Sequence, residues 1–148
     1  YGGENYLQNA CNYVINPDKA IGVGGYGVDP YNPNNAFNQM MINKAYYGKT
    51  SGNPLIHVIV SYDSSVVDSK RACELSKQCA DYYSDNYQVL YCTHNKDRKS
   101  SNYHTHMVIN SVSYNNGLMF NSSIDNMKLF CNHVSQVTGQ KCKLYFEK

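Results

Sequence analysis

The sequence predicts an α+β domain, a central antiparallel five-stranded sheet with helices packed on one face. Three observations carry that prediction. Segments with apolar residues at helical spacing alternate with short apolar runs of strand length. Two of the runs, residues 87–93 and 103–113, flank the polar, turn-rich stretch 95–102, which reads as a hairpin. The helical segments are long enough to cover a sheet, and the chain, at 148 residues, is long enough to bury a core as one domain spanning 1–148.

Taken in order, residues 4–15 are helical, with Leu7, Ala10/Cys11 and Val14 on one face and Tyr6, Ala10 and Tyr13 on an adjoining stripe. Pro17 after Asn16 ends that helix, which places Tyr13 on its last turn, able to face a cleft. Residues 16–34 are rich in Gly, Pro and Asn and read as a long loop. The glycines at 22, 24, 25 and 27 lack the spacing of a phosphate loop, so that motif is rejected. Residues 35–47 are a second helix. Residues 54–61, Pro-Leu-Ile-His-Val-Ile-Val-Ser, are almost continuously apolar and suit the centre of a sheet. His57 within them reads as a satisfied core residue rather than a ligand.

Residues 65–85 form a third helix, with Ser65 and Asp68 as its capping pair. After the hairpin, Asn115-Asn116-Gly117 turns into a short strand at 117–120. Residues 123–138 are the last helix, closed by Gly139 as a C-cap, and residues 141–146 are a fifth strand.

The chemistry gathers in the hairpin. Residues i and i+2 of a strand share a face, so His104 and His106 present two imidazoles side by side. Folding the hairpin brings His94 to them, and three neutral imidazoles could then hold a divalent metal with open positions. A hydrogen-bonded structural cluster fits the same pattern. Asn110 faces the same way by strand parity, able to hold a histidine.

The formal net charge is only +2, so global charge selects no partner, but its distribution does. Residues 51–90 hold five acids against three bases, whereas Lys96, Arg98 and Lys99 face only Asp97 between 91 and 110. A basic cluster beside a metal site can attract phosphate; a solvated hairpin tip is the bland alternative. Fifteen tyrosines and no tryptophan are unusual, and tyrosine can stack on bases. Six cysteines without a Cys-x-x-Cys read as reduced residues of a cytosolic protein. Neither a signal peptide nor a transmembrane run is evident. The chain starts without methionine and is expected to be the N-terminal fragment of a longer protein.

Three motifs together resemble a known family. Leu7-x5-Tyr13-Val-Ile-Asn-Pro-Asp-Lys19-Ala, then His57-Val-Ile-Val-Ser61-Tyr, then Thr93-His94 with His104-Thr-His106-Met-Val-Ile-Asn110-Ser-Val-Ser resemble the relaxases, or mobilisation nucleases, of conjugative and mobilisable elements. The nearest branch is the MobP-like, TraI-type one of Gram-positive bacteria, and the likeness covers nearly the whole chain. The resemblance implies the HUH-endonuclease fold and nicking of DNA at a transfer origin. It implies Tyr13 as the nucleophile, giving a 5′-phosphotyrosine, and a metal on His94, His104 and His106. It implies Mg²⁺ or Mn²⁺ as the working ion, although imidazole suits Mn²⁺, Zn²⁺, Co²⁺ or Ni²⁺ better than Mg²⁺.

Single-stranded DNA is the implied partner, with Lys19, Lys96, Arg98, Lys99 and Asn110 as expected contacts. Accessory relaxosome proteins, a type IV secretion coupling protein and a bacterial cytoplasmic location, with no membrane, follow from the same likeness. The family usually places an Asp two residues after its first motif histidine; that position is Lys96 here, and Asp97 comes one later. Two alternatives remain: a rolling-circle replication initiator, whose tyrosine usually follows the His-x-His on a downstream helix, and a noncatalytic single-strand-binding module.

Overall fold

The computed structural model describes residues 5–96 and 102–145. The elements run α1 (Tyr6–Val14), β1 (Ala20–Tyr26), α2 (Pro33–Tyr46), β2 (Leu55–Ser61), α3 (Ser69–Asp81), β3 (Val89–His94), β4 (His104–Asn110) and α4 (Ile124–Thr138). The four strands form one sheet in the order β1-β3-β4-β2, and every neighbouring pair is antiparallel. The α+β class is as expected, but the sheet has four strands among the described residues, not five.

The two strands expected near the C-terminus do not form. Residues 117–120 contribute one isolated bridge, Val112 to Met119. Residues 141–145 have no strand pairing, and Phe146 lies outside the described residues. The stretch read as a loop instead supplies β1. Its glycines are demanded by what crosses them. A Cβ on Gly24 would sit 2.3 Å from the Tyr91 ring, which lies across β1 and stacks on Tyr26 at 6.0 Å. A Cβ on Gly22 would come within 2.8 Å of Cys73 Sγ, so α3 could not approach this edge as closely. The sequence therefore looks like a flexible loop because side chains from β3 and α3 fill the space its own side chains would need.

Helices cover both faces of the sheet, where one covered face was expected. Strand alternation explains the arrangement. Leu90, Cys92 and Val108 pack with Leu7, Ala10, Cys11, Val14, Ala36 and Met40, beneath α1 and α2. Val89, Met107 and Ile109 pack with Leu75, Cys79, Phe130 and Val134, beneath α3 and α4. All seven residues of β4 are buried, as a strand covered on both sides must be. The run at 54–61 forms the edge strand β2, not a central one. Truncating a fully buried side chain such as Met107 would cost about 2–5 kcal/mol.

Local signals set the helix ends. The Asn32 side chain accepts from the backbone of Asn34 and Asn35 at the start of α2, with Pro33 in the first turn. Asp68 itself caps α3 by accepting from Arg71 N at 2.7 Å, while Ser65 bonds Asp63; the expected Ser65–Asp68 pair is replaced by these two contacts. Gly139 closes α4 at φ 70°, as the sequence indicated. Among the described residues no helix is long and apolar enough to cross a membrane.

Candidate metal centre and nucleophile

The β3–β4 register builds the histidine cluster. His94 lies directly opposite His104, and Cys92 opposite His106, so both strands turn their histidines to the α1/α2 face. Ring centroids lie 4.1 Å apart for His94–His106, 5.1 Å for His104–His106 and 5.2 Å for His94–His104. One ring nitrogen from each lies within 4.8 Å of the others. All three side chains are buried.

Hydrogen bonds orient each ring. A carbonyl only accepts, so His94 Nε2 donates to Val14 O at 2.9 Å. His104 Nδ1 donates to Asn102 O at 3.2 Å and leaves Nε2. His106 Nδ1 meets His57 Nε2 at 3.0 Å. Burial, reinforced by the charges His94, His57, His104 and Lys19 would carry, holds His106 down to about 3, so its ring is neutral near pH 7. Three imidazoles that each bring a ring nitrogen to the same place are a suitable donor set for a divalent transition ion.

Tyr13 stands beside this cluster. Its ring centroid lies 5.7 Å from that of His106 and 6.0 Å from that of His94, both edge-on. Its position follows from α1: Leu7, Ala10, Cys11 and Val14 bury one face, and Tyr13 is carried off that face, 45% exposed. The helix end is fastened to the cluster, because Val14 O accepts from His94 and from the Cys92 thiol. Lys19 follows a turn in which Asn16 O accepts from Lys19 N and Ala20 N, and its ammonium lies 5.4 Å from the Tyr13 ring centre.

The other expected site residues fall differently. Lys96 is exposed and holds its ammonium 4.9 Å from the Tyr103 ring centre. Asp97, Arg98 and Lys99 lie outside the described residues. Asn110 is completely buried: its amide donates to Met40 O and Gln88 Oε1, and its oxygen accepts from Val112 N. That corrects its expected role as a DNA contact, since a strut joining α2, the residue before β3 and the segment after β4 has no atom left at the surface. His57 touches the cluster, although the sequence reads it as a core residue. The contact follows from the β2–β4 register, in which His57 pairs with Val108, which shares a face with His106.

The description "Relaxase: MobA/VirD2-like, nuclease domain" matches residues 6–143. The chain belongs to this relaxase family. Relatives from Staphylococcus aureus, each named Protein rlx, are 31% identical over 123 residues, covering 82% of this chain and 36% of the relative, and 35% identical over 77 residues, covering 52% and 22%. A third is 35% identical over 81 residues, covering 54% of this chain and 24% of its own length. The matched stretches therefore cover between 22% and 36% of the relatives' own length. No solved structure matches the chain.

Proposed function

We propose that this relaxase domain nicks one strand of DNA at a transfer origin, with Tyr13 as the nucleophile and His94, His104 and His106 holding a divalent ion. The observation that carries the reading is the placement of the Tyr13 ring within 6.0 Å of two of three converging imidazoles, at the partly exposed end of a helix.

The residues suit the reaction. When bound, a divalent ion would neutralise and orient the nonbridging oxygens of the scissile phosphate. His94, His104 and His106 present nitrogen lone pairs and add no negative charge that would repel that phosphate. Tyr13 Oη attacks phosphorus, the P–Oη bond forms as the P–O3′ bond breaks, the phenol gives up its proton, and the 3′ oxygen gains one. The products are a 5′-phosphotyrosine and a free 3′-hydroxyl. One phosphodiester replaces another, so the step can run backwards and rejoin a strand. Lys19, half-buried with its ammonium 5.4 Å from the Tyr13 ring centre, supplies positive charge where the phosphate arrives. Lys96, which is exposed, is a further phosphate contact in this reading, and Arg98 and Lys99, close to it in sequence, are proposed to add to the charge.

Mn²⁺ or Mg²⁺ is the proposed working ion; the all-imidazole donor set favours Mn²⁺ of the two. Bacterial cytoplasm is the proposed setting, with accessory relaxosome proteins and a secretion coupling protein as partners of the longer protein. The geometry favours Tyr13 over its neighbours in sequence. Tyr26 stacks on Tyr91, against the α3 side of the sheet, and Tyr31 is 82% exposed with its backbone N–H bonded to Asp29. A replication initiator would need a tyrosine on the helix after the His-x-His, and α4 has none.

The test is incubation with single-stranded origin oligonucleotides and Mn²⁺. The wild-type chain is expected to form a covalent adduct that maps to the peptide containing Tyr13, and Tyr13→Phe to bind the strand without forming one. An adduct on Tyr6, Tyr26 or Tyr31 would overturn the nucleophile assignment. Absence of any adduct would favour a binding module.

A further inference from the structure

We infer that His57 is a positioning residue for the metal centre, which selects the tautomer of His106 and thereby makes that ring a ligand. The inference rests on the metal reading above. His57 stands on the edge strand β2, half-buried, and its Nε2 lies 3.0 Å from His106 Nδ1, with ring centroids 5.3 Å apart.

The three cluster histidines are not held alike. His94 and His104 each face a backbone carbonyl, which accepts and never donates, so each ring has its proton assigned by the backbone. His106 faces another imidazole, which can do either. If His57 donates, His106 Nδ1 accepts, and a neutral His106 then carries its proton on Nε2, leaving no lone pair toward its neighbours. If His57 accepts, His106 carries the proton on Nδ1 and frees Nε2. Only the second arrangement makes a ligand, and it requires His57 to be the Nδ1–H tautomer. Hydrogen bonds of this kind fix the orientation of metal-bound histidines, and their loss typically costs about 10–100-fold in metal affinity. A carboxylate would do the same work while adding a negative charge; an imidazole orients His106 without adding one, which suits a site that must accept an anionic phosphate.

Three proteins decide the matter: wild type, His57→Leu, which removes the acceptor while keeping bulk, and His57→Gln, whose amide oxygen can accept where Nε2 stood. Mn²⁺ affinity is measured by calorimetry and the Co²⁺ absorption spectrum reports ligand geometry, with metal-free melting temperature as the folding control. His57→Leu is expected to bind Mn²⁺ about 10–100-fold more weakly with an altered Co²⁺ spectrum, and His57→Gln to recover most of the affinity and the wild-type spectrum. Wild-type affinity in His57→Leu would overturn the inference and leave the metal reading intact. Equal losses in the Leu and Gln variants would also overturn it, because a packing role would not distinguish them. Failure of the wild type itself to bind Mn²⁺ or Co²⁺ would overturn both.

Discussion

The two faces of the β3–β4 hairpin bury polar groups in opposite ways. Toward α3, Thr105 Oγ1 meets Tyr62 Oη at 2.6 Å and Ser76 Oγ at 2.5 Å, and Ser76 Oγ meets Thr93 Oγ1 at 2.7 Å. Ser76 also donates to Ala72 O at 3.0 Å, so the hydroxyls close on one another and on the helix backbone. Toward α1, the adjacent residues His94, His104 and His106 each hydrogen-bond through a ring nitrogen, and each has a ring nitrogen within 4.8 Å of those of the other two. Buried polar groups are normally satisfied inside the fold. A closed network is thus structural, whereas ring nitrogens that converge on one another are arranged for something that arrives. Alternation along one strand, His104-Thr105-His106, separates the two cases by a single residue.

The largest effect should come from opening the histidine face. His106→Ala is expected to abolish adduct formation and strongly weaken Mn²⁺ binding while the domain stays folded, as read by gel shift, calorimetry and far-UV dichroism. Unchanged nicking would remove the distinction between the faces. His94→Ala should lose nicking as well and also loosen the end of α1, because its Nε2 holds Val14 O; faster hydrogen exchange at the last turn of α1 would show this second loss.

Breaking the closed face should do the reverse. Thr105→Val removes one hydroxyl partner of Tyr62 and one of Ser76 and is expected to cost about 1–3 kcal/mol in urea unfolding, with Mn²⁺ affinity unaltered. A variant that unfolds as wild type but binds metal poorly would mean that the two faces are coupled.

A more gradual contrast comes from pH. His106 is held down to about 3 in the folded protein, first by burial, and rises to its ordinary value of about 6.5 on unfolding. Between those values the unfolded chain binds the extra proton, so metal-free stability rises with pH across that window, is fully present above about 6.5, and falls as pH drops. The hydroxyl face has no group titrating there, since burial pushes Tyr62 upward, away from neutral pH. Urea midpoints of the metal-free protein should therefore decline from pH 7 to pH 4, and His106→Ala should flatten the slope while Thr105→Val only lowers the curve. A slope unchanged in His106→Ala would place the titration elsewhere.

The smallest expected effect concerns charge beside the histidine face. Neutralising Lys96, Arg98 and Lys99 together should weaken strand binding and reduce its logarithmic salt dependence by about 0.7 for each phosphate that is no longer neutralised. An unaltered slope would leave that loop a solvated tip.

Much of the site was legible because strand parity and hairpin folding are local rules. The i, i+2 spacing put His104 and His106 on one face, the intervening turn brought back His94, and the apolar period of α1 set Tyr13 off the buried stripe. The likeness of the motifs around Tyr13, His57 and His106 to relaxases carried the family. Other features depended on partners distant in the chain. Glycines at 22 and 24 read as a loop until Cys73 and Tyr91 are known to lie against them. Asn110 looks available by parity until Met40 and Gln88 close over it. The edge position of β2 and the contact of His57 with His106 exist only once β2 is paired with β4, and the second layer of helices exists only once both faces of β3 and β4 are covered. By itself the sequence determined which residues share a face, because backbone periodicity is a property of consecutive residues. Tertiary structure alone decided which face is closed, which is open and what stands across from it, because those are set by long-range packing between segments that carry no mark of each other.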